Sequence, residues 1–102
     1  VLKDINGIIL PGGFGKRGSD GKINAIEFAR TKNIPFLGIC FGMQLAIIES
    51  LRNLTGYEKS SSTEFGKTDF PVISMMHEWE KGKKIHKQDL DNLGGSMRLG
   101  SY

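Results

Sequence analysis

A five-residue segment, Gly-Ile-Cys-Phe-Gly at residues 38–42, constrains the fold of this chain more than any other feature. It holds Cys40, the only cysteine of the chain, and it lies between an apolar run and a segment with helical periodicity. Glycines two residues before and after a nucleophile are typical of a nucleophile elbow, in which a strand ends, the backbone turns sharply and a helix begins. A larger side chain would crowd that turn. The sequence therefore predicts a strand–turn–helix unit that exposes Cys40.

The predicted position of Cys40 at the start of a helix indicates its chemistry. Free backbone N–H groups and the positive end of the helix dipole favour a thiolate over a thiol. A lone cysteine is more often an inert, buried small apolar residue, but the glycine spacing favours a nucleophile. We therefore predict an enzyme that performs acyl chemistry through sulfur.

Composition limits the class of protein. The chain has 102 residues, 25% of them charged and 38% hydrophobic, as expected for one globular domain. A single cysteine excludes an internal disulfide and fits a reducing, cytoplasmic compartment. No apolar run approaches the ~18 residues of a membrane helix, and we recognise no signal peptide. We therefore expect no membrane association.

Four lysines between residues 81 and 87 contribute much of the net charge of +3. That run has no interleaved aromatic residues and no recognisable nucleic-acid motif. A solvated loop is the favoured interpretation, and contact with nucleotide phosphates is the alternative. We expect no nucleic-acid partner.

The order of apolar runs and helical patterns predicts an α/β fold. We expect strands at 7–10, 36–39, 72–76 and around 97–99, helices at 22–32 and 43–54, and loops at 12–21, 59–69 and 81–92. This order predicts a right-handed, mostly parallel sheet flanked by helices, with the first strand buried on both faces. The inward helix faces are assigned to Ile23, Ile26 and Ala29, and to Met43, Ile47, Leu51 and Leu54 with Ala46 and Ile48 beside them. Asn33 and Gly56 suit the positions just past the two helices.

The glycine-rich loop contains a literal G-x-G-x-x-G at residues 13, 15 and 18. A dinucleotide-binding fold would begin its helix inside that motif and place an acidic residue at the end of the next strand. Here the helical pattern begins only after Gly21, and the next strand ends in Cys40. We favour a different reason for the glycines, namely a backbone N–H that must closely approach an oxyanion.

A nucleophilic cysteine needs a base, usually a histidine oriented by a carboxylate. The chain has two histidines, His77 and His86, and neither is predicted to follow a late strand that faces the elbow. We therefore expect the base beyond Tyr102. The chain also opens just before a central-looking strand and closes without a final helix, so we expect a fragment. Glu64, taken alone, is a surface carboxylate or a capping residue, because Thr63 and Glu64 would suit a short turn.

Four motifs together carry a family resemblance. They are Pro-Gly-Gly-Phe-Gly followed by Arg-Gly (11–18), Gly-Ile-Cys-Phe-Gly-Met-Gln (38–44), Ser-Thr-Glu-Phe (62–65) and Gly-Gly-Ser-Met-Arg-Leu-Gly (94–100). With these in order over nearly the whole chain, it resembles the glutamine amidotransferase domain of the CTP synthase family. That domain is a class I (triad) glutaminase with a flavodoxin- or Rossmann-like α/β fold. The elbow alone indicates only the class, and the other motifs make the resemblance specific.

The resemblance implies roles for individual residues. Cys40 resembles the nucleophile that attacks the side-chain amide of glutamine, and the loop at Gly13 and the backbone N–H of Phe41 resemble the oxyanion hole. The glutamine-binding positions implied are Gly13, Phe41, Gly42, Met43, Gln44 and Glu64, the last toward the substrate's α-amino group. Phe14, Arg17 and Gly18 resemble the segment near a GTP-responsive lid. Phe41 and Ser96 stand where the family often has leucine and threonine, and we expect little effect.

The resemblance also implies what surrounds this chain. Residues 1–102 are a partial amidotransferase domain, because the family's triad histidine and glutamate, and a glutamine-binding arginine, follow the 94–100 motif. The synthase domain precedes this region. The implied function is glutamine hydrolysis that supplies ammonia for ATP-dependent amination of UTP to CTP. The resemblance implies that this domain holds no cofactor or metal. It also implies that the full-length enzyme uses ATP, Mg²⁺ and the activator GTP and forms a cytoplasmic homotetramer. The chain alone is expected to be nearly inactive.

Two alternatives stay open at this point. The segment could belong to a degenerate, non-catalytic amidotransferase-like domain that binds glutamine or a partner for regulation, although the intact Cys40 and Gln44 argue against it. It could also be a cysteine hydrolase of another γ-glutamyl compound.

Overall fold

The computed structural model describes residues 2–74, 78–81 and 84–87 of the chain. The first half contains β1 (Ile8–Leu10), α1 (Ser19–Thr31), β2 (Phe36–Gly38) and α2 (Phe41–Leu54). The second half contains β3 (Ser61–Ser62), a 3₁₀ turn (Thr63–Phe65), β4 (Pro71–Ile73), β5 (Glu78–Lys81) and β6 (Lys84–Lys87). Within these described residues, no helix is both long and apolar enough to span a membrane.

The first half is the predicted βαβα unit. β1 and β2 pair in parallel, with Ile8 opposite Phe36 and Leu10 opposite Gly38. Because the strands are parallel, their carboxyl ends lie at the same edge of the sheet, and the loops that follow them meet there. The segments predicted to form the site, the glycine-rich loop after β1 and the elbow after β2, are therefore neighbours.

Helix α1 begins earlier than predicted. It starts at Ser19 rather than Lys22 and includes Gly21, so the glycine-rich loop ends at Gly18. The Ser19 hydroxyl donates a 2.7 Å hydrogen bond to the Lys16 carbonyl, and Gly18 adopts φ +73° at the helix start. The helix therefore begins directly after Gly18, the last glycine of the motif, and not inside the motif. This start of the helix and the absence of an acidic residue after β2 both argue against dinucleotide binding.

The end of α1 is as predicted. Asn33 adopts the left-handed conformation (φ +55°), and its N–H donates to the Arg30 carbonyl at 3.4 Å. The N–H of Ile34 donates to the Ala29 carbonyl at 2.9 Å. This pair of bonds is a Schellman motif, and asparagine is among the few non-glycine residues that tolerate the conformation it requires.

The core lies between the helices and one face of the β1–β2 sheet. It is formed by Leu10, Ile23, Ile26, Phe41, Leu45 and Ile48. Ile8 and Phe36 pack against this cluster. The intervening residues Ile9 and Leu37 point the other way and are 68% and 55% exposed. Within the described residues the sheet is thus covered on one face, whereas the sequence predicted burial of β1 on both.

The inward face of α2 differs from the predicted one. Leu45, Ile48 and Glu49 are buried, whereas Met43 and Ile47 are 51% and 41% exposed. Apolar residues occur around most of α2, so periodicity alone could not select the face. The choice is made by tertiary contacts, which turn Glu49 toward α1.

A buried ion pair joins the two helices. Arg30 of α1 donates from Nε and Nη2 to the Glu49 carboxylate at 2.8–3.2 Å, and Asn53 donates to the same carboxylate at 3.0 Å. Burial of Glu49 opposes its ionisation, but these hydrogen bonds and the charge of Arg30 outweigh burial, so the pKa of Glu49 is lowered. The hydrogen bond to Glu49 in turn raises the pKa of Arg30. The pair fixes the register of α2 against α1.

The second half corrects two sequence predictions. The 59–69 segment, predicted to be loop apart from a short turn, contains β3. The third predicted strand, β4, pairs in parallel with β3 rather than with β1 or β2. The lysine-rich segment, also predicted to be loop, provides β6, which pairs antiparallel with β5. Charged residues are compatible with a strand that has one solvated face, so charge content was a poor guide. Met75, Met76 and the predicted strand around 97–99 lie outside the described residues.

Candidate active site

The segment around Cys40 forms the predicted nucleophile elbow. One residue, Ile39, separates the end of β2 from Cys40. Cys40 is the N-cap residue of α2 and is exposed. Its backbone has φ +52° and ψ −106°, a conformation that side chains rarely adopt. The Ile39 N–H donates to the Leu10 carbonyl at 2.9 Å and so holds β2 to β1 up to the turn. Strain of this kind persists only where the surrounding structure enforces it, and it clusters at functional sites.

Both glycines of the elbow are sterically required, as predicted. A Cβ on Gly38 would lie 2.8 Å from the Gly42 carbonyl carbon and 2.8 Å from the Met43 nitrogen. A Cβ on Gly42 would collide with the carbonyl oxygen of Leu10. All of these neighbours are backbone atoms, so no rotamer change can relieve the overlap. α2 can approach β1 this closely only with glycine at position 42.

The glycine-rich loop faces the elbow. A Cβ on Gly12 would lie 3.6 Å from Cβ of Cys40. A Cβ on Gly13 would lie 3.6 Å from the Phe41 ring and 3.8 Å from Nζ of Lys22. The two segments that the resemblance assigns to the oxyanion hole are therefore in contact distance of each other.

The N–H groups of Gly13 and Phe41 remain available for a ligand. Neither has an acceptor among the described residues, whereas the Gly42 N–H donates to the Ile39 carbonyl and the Gln44 N–H to the Cys40 carbonyl. Unpaired N–H groups beside an exposed thiol are the donors that an oxyanion needs. The arrangement can therefore support acyl transfer to Cys40.

Glu64 belongs to the same site. It lies in the 3₁₀ turn, where Oγ of Ser62 accepts a 3.1 Å hydrogen bond from the Glu64 N–H. Its Oε1 accepts a 2.7 Å hydrogen bond from the N–H of Gly15. The short turn was predicted, but its cap is Ser62 rather than Glu64. The surface carboxylate expected from the sequence alone is half-buried and bonded to the glycine-rich loop.

The other predicted residues divide into two groups. Phe41 and Gly42 are buried, so their side-chain positions serve the core and only their backbone can meet a ligand. Met43 is exposed and Gln44 half-buried on the first turn of α2. Phe14 and Arg17 are exposed in the glycine-rich loop, and Gly18 begins α1. His86 lies in β6, whereas His77 and the 94–100 motif lie outside the described residues.

Sequence reasoning missed Lys22 and Phe65. Nζ of Lys22 lies 5.1 Å from the centre of the Phe41 ring, a cation–π distance, and beside Gly13. Phe65 packs edge-on against Phe41 with ring centres 6.2 Å apart. Periodicity placed Lys22 on a polar face, and nothing in the sequence indicated which ring it would cover. In the described part of the chain, no group of histidine, cysteine and acidic residues is arranged to hold a metal ion.

Comparison with known proteins agrees with this geometry. The family model for class-I glutamine amidotransferases matches residues 1–102. The chain belongs to this family. The amidotransferase chain is 57% identical to the CTP synthases of Sinorhizobium medicae and Rhizobium meliloti, over 99% of its own length and 19% of theirs. It thus spans about a fifth of the curated relatives that it matches.

A solved relative supports the fold of this amidotransferase. The glutaminase domain of Trypanosoma brucei CTPS, with bound acivicin, matches with a TM-score of 0.68 and 45% sequence identity. The match covers 74% of this chain and 29% of that one. The predicted class I amidotransferase fold and family are confirmed.

Proposed function

We propose that this chain is the part of a CTP synthase that hydrolyses glutamine through Cys40. The observation that carries the proposal is the exposed Cys40 at a strained elbow, facing a glycine-rich loop, with the unpaired N–H groups of Gly13 and Phe41 beside it. The 57% identity to CTP synthases supports the choice of substrate.

The geometry of the elbow and the loop supports the following proposed reaction. The Cys40 thiolate attacks the carbonyl carbon of the side-chain amide, and the carbonyl oxygen becomes an oxyanion that accepts from the N–H groups of Gly13 and Phe41. Each such donor contributes about 10²–10³-fold in rate. The amide nitrogen takes a proton and leaves as ammonia, which yields a γ-glutamyl thioester. Water then attacks the thioester and releases glutamate.

Binding is assigned to the residues around this centre. We assign glutamine contacts to Gly13, Phe41, Gly42, Met43, Gln44 and Glu64. Glu64 is the negatively charged member of this set and suits the α-amino group. Proton transfer and the remaining glutamine contacts are assigned to a histidine, a glutamate and an arginine beyond Tyr102.

The proposed context is a longer, cytoplasmic enzyme. The ammonia would be used by a synthase domain of the same polypeptide to aminate UTP with ATP and Mg²⁺, in a homotetramer activated by GTP. Phe14, Arg17 and Gly18 are proposed to belong to the segment that responds to GTP. The lengths of the relatives, about five times that of this chain, support a second domain.

The test compares two nitrogen sources in the full-length protein. Cys40→Ala should abolish CTP formation from glutamine and leave CTP formation from ammonium chloride near the wild-type rate. Ser50→Ala, on α2 away from the elbow, serves as the control and should retain both activities. Loss of neither activity in Cys40→Ala would contradict the proposal and favour a regulatory domain.

A further inference from the structure

We propose that Glu64 is a positioning residue that holds the glycine-rich loop, residues 12–18, in place against the elbow. Its Oε1 accepts the N–H of Gly15 at 2.7 Å, and this bond joins positions 49 residues apart. The inference rests on the proposed function and adds a second role to the predicted contact between Glu64 and the α-amino group of glutamine.

In the part of the chain that the structure describes, few interactions other than the bond to Glu64 hold the glycine-rich loop in place. Among the described residues, the bond to Glu64 is the only hydrogen bond that ties the backbone of residues 11–15 to another part of the chain. Gly15 has φ +79°, and no atom lies within 4 Å of the position that its Cβ would occupy. Glycines lose more conformational freedom on ordering than other residues. A charge-assisted bond is about twice as strong as a neutral one and suits this task.

The other end of the connection is fixed to the elbow. The hydroxyl of Ser62 caps the turn that carries Glu64. The next residue, Phe65, packs edge-on against Phe41, which is 2% exposed and directly follows Cys40. Glu64 therefore links the loop that carries the Gly13 N–H to the helix start that carries the Phe41 N–H. The spacing of the two oxyanion donors depends on this link.

One carboxylate can serve both roles. It has two oxygens and about four acceptor positions, and the bond from Gly15 uses one of them at Oε1. An ammonium group at the other positions would keep the carboxylate ionised and hold it in place beside the loop. Binding of the substrate and ordering of the oxyanion loop are then coupled through Glu64.

Two variants of Glu64 separate the roles in the full-length enzyme. Glu64→Gln keeps a carbonyl acceptor for Gly15 but loses the charge, whereas Glu64→Ala loses both. We expect KM for glutamine to rise in both variants. We expect kcat to fall about 10- to 100-fold in Glu64→Ala and to stay within about threefold of wild type in Glu64→Gln, as a neutral acceptor retains part of the bond. Equal kcat values in the two variants would overturn the proposal.

Hydrogen exchange, measured by mass spectrometry, reports on the hydrogen bond between Gly15 and Glu64 independently of catalytic turnover. In Glu64→Ala, exchange should accelerate about 10-fold or more in the peptide that covers residues 12–18, and in Glu64→Gln it should accelerate less, because the neutral acceptor retains part of the bond. Glu58→Ala, which removes an exposed carboxylate outside the site, should leave kcat and exchange unchanged. Unchanged exchange in Glu64→Ala would overturn the proposal, whereas absent glutamine hydrolysis in the wild type would overturn only the proposed function.

Discussion

At the scale of single residues, the site depends on glycines whose positions leave no space for a side chain. Gly42 is the clearest case, because its Cβ would meet the backbone of Leu10 at the end of β1. The same glycine lets α2 approach the sheet directly after Cys40. Residue 42 therefore links packing to the proposed position of the nucleophile.

Gly42→Ala should destabilise the protein, because only a backbone shift can relieve the overlap. We expect a loss of about 3 kcal/mol or more in unfolding free energy, together with slower alkylation of Cys40 by glutamine analogues. Gly21→Ala is the matched control, since Gly21 is also helical but has open space around it. It should stabilise by about 0.5–1 kcal/mol. Thermal unfolding compares the stability changes caused by Gly42→Ala and Gly21→Ala. Equal changes would contradict a steric requirement for glycine at position 42.

At the scale of elements, the ion pair between Arg30 and Glu49 fixes how the two helices meet. Glu49 has a side chain only 1% exposed, whereas that of Arg30 is 32% exposed. A buried carboxylate is costly unless it is paired and hydrogen-bonded, and this one receives bonds from both Arg30 and Asn53. The pair explains why α2 turns an acidic residue, rather than the Met43 and Ile47 side, toward α1.

The lowered pKa of Glu49 predicts a pH-dependent stability. Because the folded pKa lies below the unfolded value of about 4.3, the stabilisation is fully present above that value and is lost as pH falls through the folded pKa. We expect Glu49→Gln to be less stable than wild type at pH 7 and the gap to narrow below about pH 4. Thermal unfolding from pH 7 to pH 3 measures the stability difference between wild type and Glu49→Gln. A difference that does not change with pH would contradict the lowered pKa of Glu49.

The control for this experiment is Glu58→Gln, which removes an exposed carboxylate outside both helices. Its stability relative to wild type should change little over the same pH range, because exposed charges contribute about 0–1 kcal/mol.

At the scale of the whole molecule, the proposal places the nucleophile and the oxyanion donors in this chain and the triad partners beyond Tyr102. We expect the polypeptide of residues 1–102, expressed alone, to lack glutamine turnover, because a cysteine nucleophile without its base acylates poorly. Release of ammonia from glutamine measures this, with the full-length protein as the positive control. Turnover at the full-length rate would show that a base, such as His77 or His86, lies within this chain.

Much of the molecule could be predicted from its sequence, and most of the failures share one cause. Strand–helix order, the elbow and the αL residue Asn33 follow from local steric rules. The inward face of α2 and the environments of Lys22 and Glu64 depend on contacts between distant segments. Glu64 bonds to a residue 49 positions away, and no local pattern specifies such a partner. The β5–β6 pair was missed because charge was taken to indicate a loop.

Cys40 is proposed to be a nucleophile directed at glutamine. The most direct test is mass spectrometry of the full-length protein after incubation with a diazo-ketone analogue of glutamine, beside Cys40→Ala. We predict a single adduct on Cys40, prevented by excess glutamine and absent in the variant. No adduct on a folded protein that still binds glutamine would contradict the account.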